Sequence, residues 1–133
     1  MEKLIHENLF LGIIFYESTS IQTNSISFLT DNDSPLQLGI MNRPKNYVIR
    51  PHRHLLHERK IEKTFEVLFI KSGSIKINFF DDKEIFLFSK DVKKGDVVLL
   101  AEGGHGFEMN EDSEIIEVKQ GPFIADRDKI KFS

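Results

Sequence analysis

The sequence predicts an all-β protein. Many short segments alternate in hydrophobicity, turn residues separate them, and no convincing long amphipathic helix is present. The clearest hairpin joins 74–80 to 84–88, because the residues Asp81-Asp82-Lys83 supply a turn between two alternating segments. Further strands are predicted at 9–16, 26–30, 36–41, 47–50, 64–73 and 114–120, with another after Gly95. Short strands at this spacing, punctuated by Gly and Pro, are typical of a sandwich or barrel.

The size and composition of the chain favour one folded domain. Its 133 residues suit a single hydrophobic core. Hydrophobic residues make up 40% and charged residues 29%, a balance that argues against wholesale disorder. We therefore expect one domain over 1–133, with N-terminal strands within 9–30, a core barrel at about 36–120 and a short C-terminal tail.

Charge and cysteine content exclude several classes of function. The net charge of -3 leaves no general basic surface for a nucleic-acid partner. The most apolar N-terminal segment, 9–16, is too short to span a bilayer and lacks a signal-peptide layout, which predicts a cytoplasmic protein without a membrane partner. Cysteine is absent, so disulfides, thiolate metal ligands and a cysteine nucleophile are all excluded.

Two histidines one residue apart are the first candidates for a metal site. On a strand, His52 and His54 would face the same side with α-carbons about 6.6 Å apart, so both imidazoles could reach one ion. Pro51 suits the start of a strand or an edge strand, because it lacks a backbone N–H. The alternative is that both histidines are solvated residues at a strand end.

Glu66 and His105 complete the candidate metal set. Glu66 lies within an apolar segment, where an unpaired carboxylate is costly, so either a cation or hydrogen bonds must offset its burial. The alternative is an outward-facing Glu66 paired with a lysine. His105 follows two glycines that allow a sharp turn. An inward-facing His105 would place Phe107 and Met109 on its own face, where they would form the floor of a pocket.

The spacing of these residues resembles the cupin superfamily, whose members are small double-stranded β-helix barrels. The segments His52–His54 and Glu66–Gly73 match the two halves of the first cupin motif, and Gly95 and Gly103 keep the spacing of the second. The similarity runs from about 47 to 118. It departs from the pattern in that eleven residues separate His54 from Glu66, where the family has three or four.

Other departures lie in the flanking residues. No glycine stands six positions before His52, Ala101 replaces the proline of the second motif, and His105 comes one residue early. Glu58 is an alternative to Glu66, because it fits the shorter family spacing from His54. His57 is kept as a substitute ligand or a pocket residue.

The resemblance implies a single-domain jelly-roll barrel with a metal ion and a small ligand in its interior. The implied ion is divalent zinc, iron, manganese or nickel, since imidazole and carboxylate suit all four. The ligands would be His52, His54, Glu66 and His105. The expected pocket residues are Tyr47, Arg50, His57, Phe107 and Met109.

Three functions remain open on the sequence, and no catalytic residue is assigned. An open metal site would suit isomerisation or epimerisation of a small polar substrate. The segment 108–122 is similar to small cupins of polysaccharide and nucleotide-sugar pathways, which implies a sugar-related substrate. The alternatives are a non-catalytic binding or sensing module and a dioxygenase that uses ferrous iron. A homodimer is expected from pairing of exposed edge strands, with 9–16 as the candidate edge.

Overall fold

A computed structural model describes all residues from Met1 to Ser133, and it contains ten β-strands and no helix. The strands are β1 (Glu2–His6), β2 (Leu9–Phe15), β3 (Ser25–Phe28), β4 (Gly39–Asn42), β5 (Glu66–Ser72), β6 (Ser74–Phe80), β7 (Phe86–Lys93), β8 (Val97–Leu100), β9 (Gly104–Met109) and β10 (Glu114–Lys119). The all-β prediction is confirmed. No helix has the length and apolar character needed to cross a lipid bilayer.

The chain divides into two compact units. The first unit comprises Met1–Thr19 and Lys63–Ser133, and the second comprises Ser20–Glu62. The first unit contains a five-stranded sheet in the order β1-β2-β8-β5-β10 and a three-stranded sheet in the order β7-β6-β9, both antiparallel. The second unit contains the antiparallel pair β3-β4. The sheets remain separate and do not close into a barrel, and a single domain stays a prediction.

Alternating side chains build the core of the first unit. Along β6, Ile75, Ile77 and Phe79 are each at most 1% exposed, whereas the residues between them are half-buried. They pack in one cluster with Leu68 and Ile70 of β5, and the cluster also takes residues from β1, β2, β7 and β8. The two sheets of this unit therefore share one hydrophobic core, and the predicted inner face of β6 is confirmed.

A buried aspartate fixes the turn between β7 and β8. Asp96 is 2% exposed, and its carboxylate accepts hydrogen bonds from the backbone N–H groups of Glu17 at 2.8 Å and Lys93 at 2.9 Å. Gly95 before it has a φ of 91°, a left-handed conformation that favours glycine. The aspartate thus ties the segment after β2 to the start of β8.

The predicted strands agree with the structure except around the histidine pair. Segments 9–16, 26–30 and 36–41 correspond to β2, β3 and β4, with shifted ends for the latter two. The strand predicted at 47–50, and its continuation to His52 and His54, is wrong, because 43–65 contains no strand. A strand requires a hydrogen-bonded neighbour, and no ladder includes this segment.

The predicted dimer edge is also wrong. The segment 9–16 forms β2, which is paired with β1 on one side and with β8 on the other. The edge predicted at 9–16 is covered by β1, a strand that the sequence analysis does not predict. The edge strands of this sheet are β1 and β10. A homodimer itself stays a prediction.

Replacing Asp96 by alanine should destabilise the first unit by about 3 kcal/mol, because two partly buried N–H groups lose a charged acceptor. Urea unfolding of D96A against wild type measures this difference. Asp82→Ala serves as the control, since Asp82 is exposed in a turn and should change stability by less than about 0.5 kcal/mol. Equal stabilities of D96A and D82A would contradict the structural role of Asp96.

A candidate acid–base site in the first unit

The structure brings Glu66 and His105 together and leaves the two other predicted metal ligands elsewhere in the chain. Glu66 begins β5 and His105 lies in β9, both in the first unit. His52 and His54 belong to the strand-free part of the second unit, where both are exposed and their rings lie 5.6 Å apart. Glu58 also lies in that part and has no strand to hold it, as expected.

A short polar contact joins Glu66 to His105. The Nε2 atom of His105 lies 2.5 Å from Oε1 of Glu66, and Glu66 is only 9% exposed. The expectation that Glu66 is buried and needs a polar partner is confirmed. The alternative, an outward-facing Glu66 on the protein surface, does not apply.

A glycine corner positions His105. Gly103 has a φ of 74°, and a Cβ atom there would lie 2.5 Å from the carbonyl oxygen of Phe80. The chain therefore passes close to the end of β6 only because this residue lacks a side chain. Strand β9 begins directly after Gly103, pairs with β6 and places His105 opposite Phe79. Directly opposite residues share one face of an antiparallel pair, so His105 faces the side on which Phe79 is buried.

Strand β10 adds two more charged side chains to the site. Lys119 lies directly opposite Glu66 in the β5–β10 ladder, and Glu117 lies opposite Leu68, two residues further along the same face. Ile116 and Val118 point to the other face and are more than half exposed. The charged side of β10 is therefore turned toward the core face of the sheet.

The two carboxyl groups of the site have pKa values displaced in opposite directions. The hydrogen bond to His105 is the main cause that holds the pKa of Glu66 well below its ordinary value. The hydrogen bond to Glu66, together with burial, raises the pKa of Glu117. Near neighbours that compete for one proton behave in this way. Glu66 is thus the ionised member of the pair and Glu117 the member that holds a proton more readily.

These groups line a cleft of about 750 Å3. Its polar part includes Glu66, His105, Glu117 and Lys119, and its apolar part includes aromatic rings. The lining residues are Thr64, Glu66, Asn78, Phe80, Ala101, Gly103, Gly104, His105, Gly106, Phe107, Glu117, Lys119, Asp128, Lys129, Ile130, Lys131, Phe132 and Ser133. A cleft of this size and mixed character suits a small organic ligand.

Only one of the predicted pocket residues lines the cleft. Phe107 lines the cleft, and its ring centroid lies 5.4 Å from that of His105. Met109 is 53% exposed and is not among the lining residues. Tyr47, Arg50 and His57 belong to the second unit, and their role in binding stays a prediction.

The described side chains form no group of three or more histidine, aspartate or glutamate residues that could hold a metal ion. Glu66 and His105 supply two ligands in direct contact with each other, whereas protein zinc sites take three or four protein ligands. As placed, these residues do not fit a metal centre. The four-residue centre stays a prediction that depends on His52 and His54.

Sequence reasoning missed Glu117, Lys119 and the contribution of the last residues of the chain. The signal for Glu117 was present, because this carboxylate lies between apolar residues of a strand, as Glu66 does. The signal is weaker than for Glu66, because Glu117 is exposed, as are Ile116 and Val118 beside it. No comparable pattern marks the lysines of 126–133 as residues of a cleft.

Replacing Glu117 by glutamine should change how stability depends on pH. The raised pKa of Glu117 means that this carboxyl contributes stability below its ordinary pKa and loses the contribution as pH rises through the folded-state value. E117Q removes this loss, so its stability relative to wild type should increase between about pH 5 and about pH 8. Urea unfolding at the two pH values measures the change.

Glu114→Gln is the matched control on the same strand, since Glu114 is exposed and pairs with Lys71 at the surface. Its stability relative to wild type should shift much less between the two pH values. A difference in stability between E117Q and wild type that is the same at both pH values would contradict the raised pKa of Glu117.

Comparison with known proteins does not extend this description. The chain matches no protein-family model, no curated protein and no solved structure. Its function has to be argued from the side chains of the cleft.

Proposed function

We propose that the chain is a small cupin that binds a small polar, sugar-related molecule in this cleft and moves a proton on it, as in isomerisation or epimerisation. The observation that carries the proposal is the contact of Glu66 with His105, beside a second carboxyl whose pKa is raised. Paired titratable groups with displaced pKa values mark acid and base roles in many enzymes.

The architecture of the first unit supports the cupin part of the proposal. Its eight strands form sheets of five and three strands that share one core. Jelly rolls are built from eight strands in two sheets. Three of the cupin-motif residues in this unit, Glu66, Gly103 and His105, line the cleft.

In the proposed reaction, His105 is the base. Its Nε2–H donates to the ionised carboxylate of Glu66, which leaves Nδ1 with a lone pair that can accept a proton. This proton would come from a ligand carbon next to a carbonyl group. The negative charge of Glu66 stabilises the imidazolium that forms and holds the ring in one orientation.

Glu117 is the acid in this reaction. Because its pKa is raised, its carboxyl can donate a proton to the ligand carbonyl oxygen while His105 takes the proton from carbon. The two transfers give a neutral enediol without a net change in charge. When the proton on His105 returns to the former carbonyl carbon and the proton of the neighbouring hydroxyl group passes to the Glu117 carboxylate, the ligand is isomerised. When water delivers a proton to the original carbon from the opposite face, the Glu117 carboxylate takes back the proton that it gave to the carbonyl oxygen and His105 releases its own proton to solvent, so the ligand is epimerised.

The other functions expected from the sequence remain alternatives. A binding or sensing module would use the same cleft without proton transfer. In that case neither Glu66 nor His105 would need to gain or lose a proton. A ferrous dioxygenase or another metal enzyme would need a complete ligand set that includes His52 and His54. A divalent ion, the homodimer and the cytoplasmic location stay predictions.

His105→Asn should slow proton exchange on the ligand by at least about 100-fold, because it removes the group that accepts the proton. The measurement is deuterium uptake from D2O into keto-sugars and nucleotide-sugars, followed by NMR. Glu66→Gln should slow exchange by about tenfold or more while ligand shifts persist, because the imidazolium loses its counter-charge.

Glu108→Gln is the control, since Glu108 lies on the same strand as His105 and pairs with Lys76 at the surface. E108Q should exchange at the wild-type rate. Exchange that persists unchanged in H105N would contradict the proposal. Ligand-induced shifts without exchange in the wild-type protein would favour the binding module.

Elemental analysis tests the metal alternative. If the predicted centre exists, purified protein should bind about one equivalent of a divalent ion, and His105→Ala and the double variant His52→Ala/His54→Ala should each weaken binding at least tenfold. Lys119→Gln should bind as wild type, because an ammonium group is no ligand. Full metal occupancy in Glu66→Ala would indicate that Glu58 is the carboxylate ligand or that three histidines form the site. Equal occupancy in all variants would exclude the predicted ligand set.

A further inference from the structure

One wall of the cleft is formed by the segment 126–133, which has no regular secondary structure. Six consecutive residues of this segment, Asp128 to Ser133, line the cleft that contains Glu66 and His105. The rest of the lining comes from strands and the residues next to them. A ligand at the acid–base site would therefore have strands on one side and this segment on the other.

Few contacts hold the segment against the strands. Lys119 Nζ lies 2.8 Å from the carboxylate of Asp128, and the Phe132 ring packs edge-on against Phe80 with centroids 5.1 Å apart. The Phe132 ring also covers Gly104, where a Cβ atom would lie 2.8 Å from it. No backbone hydrogen bond joins the segment to a strand. It can therefore open without breaking a ladder.

Two lysines of the segment make no direct ion pair. Lys129 and Lys131 line the cleft, are exposed, and make no ion pair or hydrogen bond. The other charges of the cleft are largely paired, since Lys119 binds Asp128 and Glu66 contacts His105. Glu117 is the remaining acid, and its pKa is raised by Glu66 and lowered by the nearby charge of Lys129. The cleft thus has two exposed ammonium groups on this wall, and neither is held in an ion pair.

We propose that 126–133 is a lid that closes over a phosphate-bearing ligand, with Lys129 and Lys131 binding the phosphate. Ammonium groups on flexible stems suit phosphate oxygens. The rings of Phe80 and Phe132 would cover the apolar face of the ligand beside them. This inference rests on the proposed function, because it names the class of substrate for the same cleft: a sugar that carries a phosphate group.

The lid can be observed with a single tryptophan, because the chain has none. In the variant F132W, addition of glucose 1-phosphate should change the fluorescence as the lid closes, and inorganic phosphate should do so at higher concentration. Glucose, which lacks the phosphate, should give no change over the same range. In F132W/K129Q/K131Q the dissociation constant for glucose 1-phosphate should rise at least tenfold.

Amide shifts of 128–133 in the NMR spectrum of the otherwise unchanged chain provide a second measurement that does not depend on the tryptophan. The matched control is Lys93→Gln/Lys94→Gln, which removes two exposed lysines from the turn before Gly95. This control should bind glucose 1-phosphate as wild type does. Equal weakening of glucose 1-phosphate binding in both double variants would overturn the proposal, because binding would then depend only on the net charge of the protein.

The lid proposal and the proposed function fail in different ways. Glu66→Gln should retain phosphate-dependent lid closure although proton exchange is lost. Binding of glucose 1-phosphate that is unchanged in K129Q/K131Q would overturn the lid proposal and leave the acid–base proposal standing. Tight binding of glucose with no preference for its phosphate would also overturn the lid proposal.

Discussion

The burial of one carboxylate, that of Glu66, is the constraint on which the cleft depends. A charge at the start of a core strand loses its hydration, and the loss must be offset by polar partners nearby. His105 provides the shortest of these contacts, and Glu117 and Lys119 from the neighbouring strand surround the same group. The result is a polar cluster at the end of a core that is otherwise formed by aliphatic and aromatic residues. The same buried charge that costs stability creates the pair of displaced pKa values on which the proposed chemistry relies.

Sheet order brings these partners together. Strand β5 lies between β8 and β10, so its first residue is next to β10 on one side and next to the end of β8 on the other. The chain then leaves β8 through Gly103 and returns in β9 with His105 facing the core side. Proton chemistry requires groups at fixed distances, and strands with defined register hold side chains more rigidly than loops. The opposite wall, 126–133, has no such support, and this contrast underlies the proposal that one side of the cleft moves while Glu66 and His105 stay in place.

The sequence analysis succeeded where the physical signal is local. Alternation along 74–80 correctly assigned the buried face of β6, and the cost of a buried charge correctly singled out Glu66. It failed at 47–54, where a proline, a period of two and a histidine pair looked like a strand. A strand exists only with a partner to accept its hydrogen bonds, and pairing joins residues far apart in the chain. The same reason explains the missed β1, whose pairing with β2 changes an apparent edge into an interior strand.

By itself, the sequence determined that the protein is all-β, that its core consists of alternating strands, and that Glu66 needs a polar partner. These properties follow from side-chain period and desolvation, which act over a few residues. Only the tertiary structure decided which partner Glu66 has, that Glu117 and Lys119 join it, and that 128–133 lines one wall of the cleft. Those contacts join positions up to 53 residues apart, as in the register of Lys119 with Glu66 and the approach of Phe132 to Phe80. No local pattern encodes such a contact, because it depends on how the strands are ordered within the sheets.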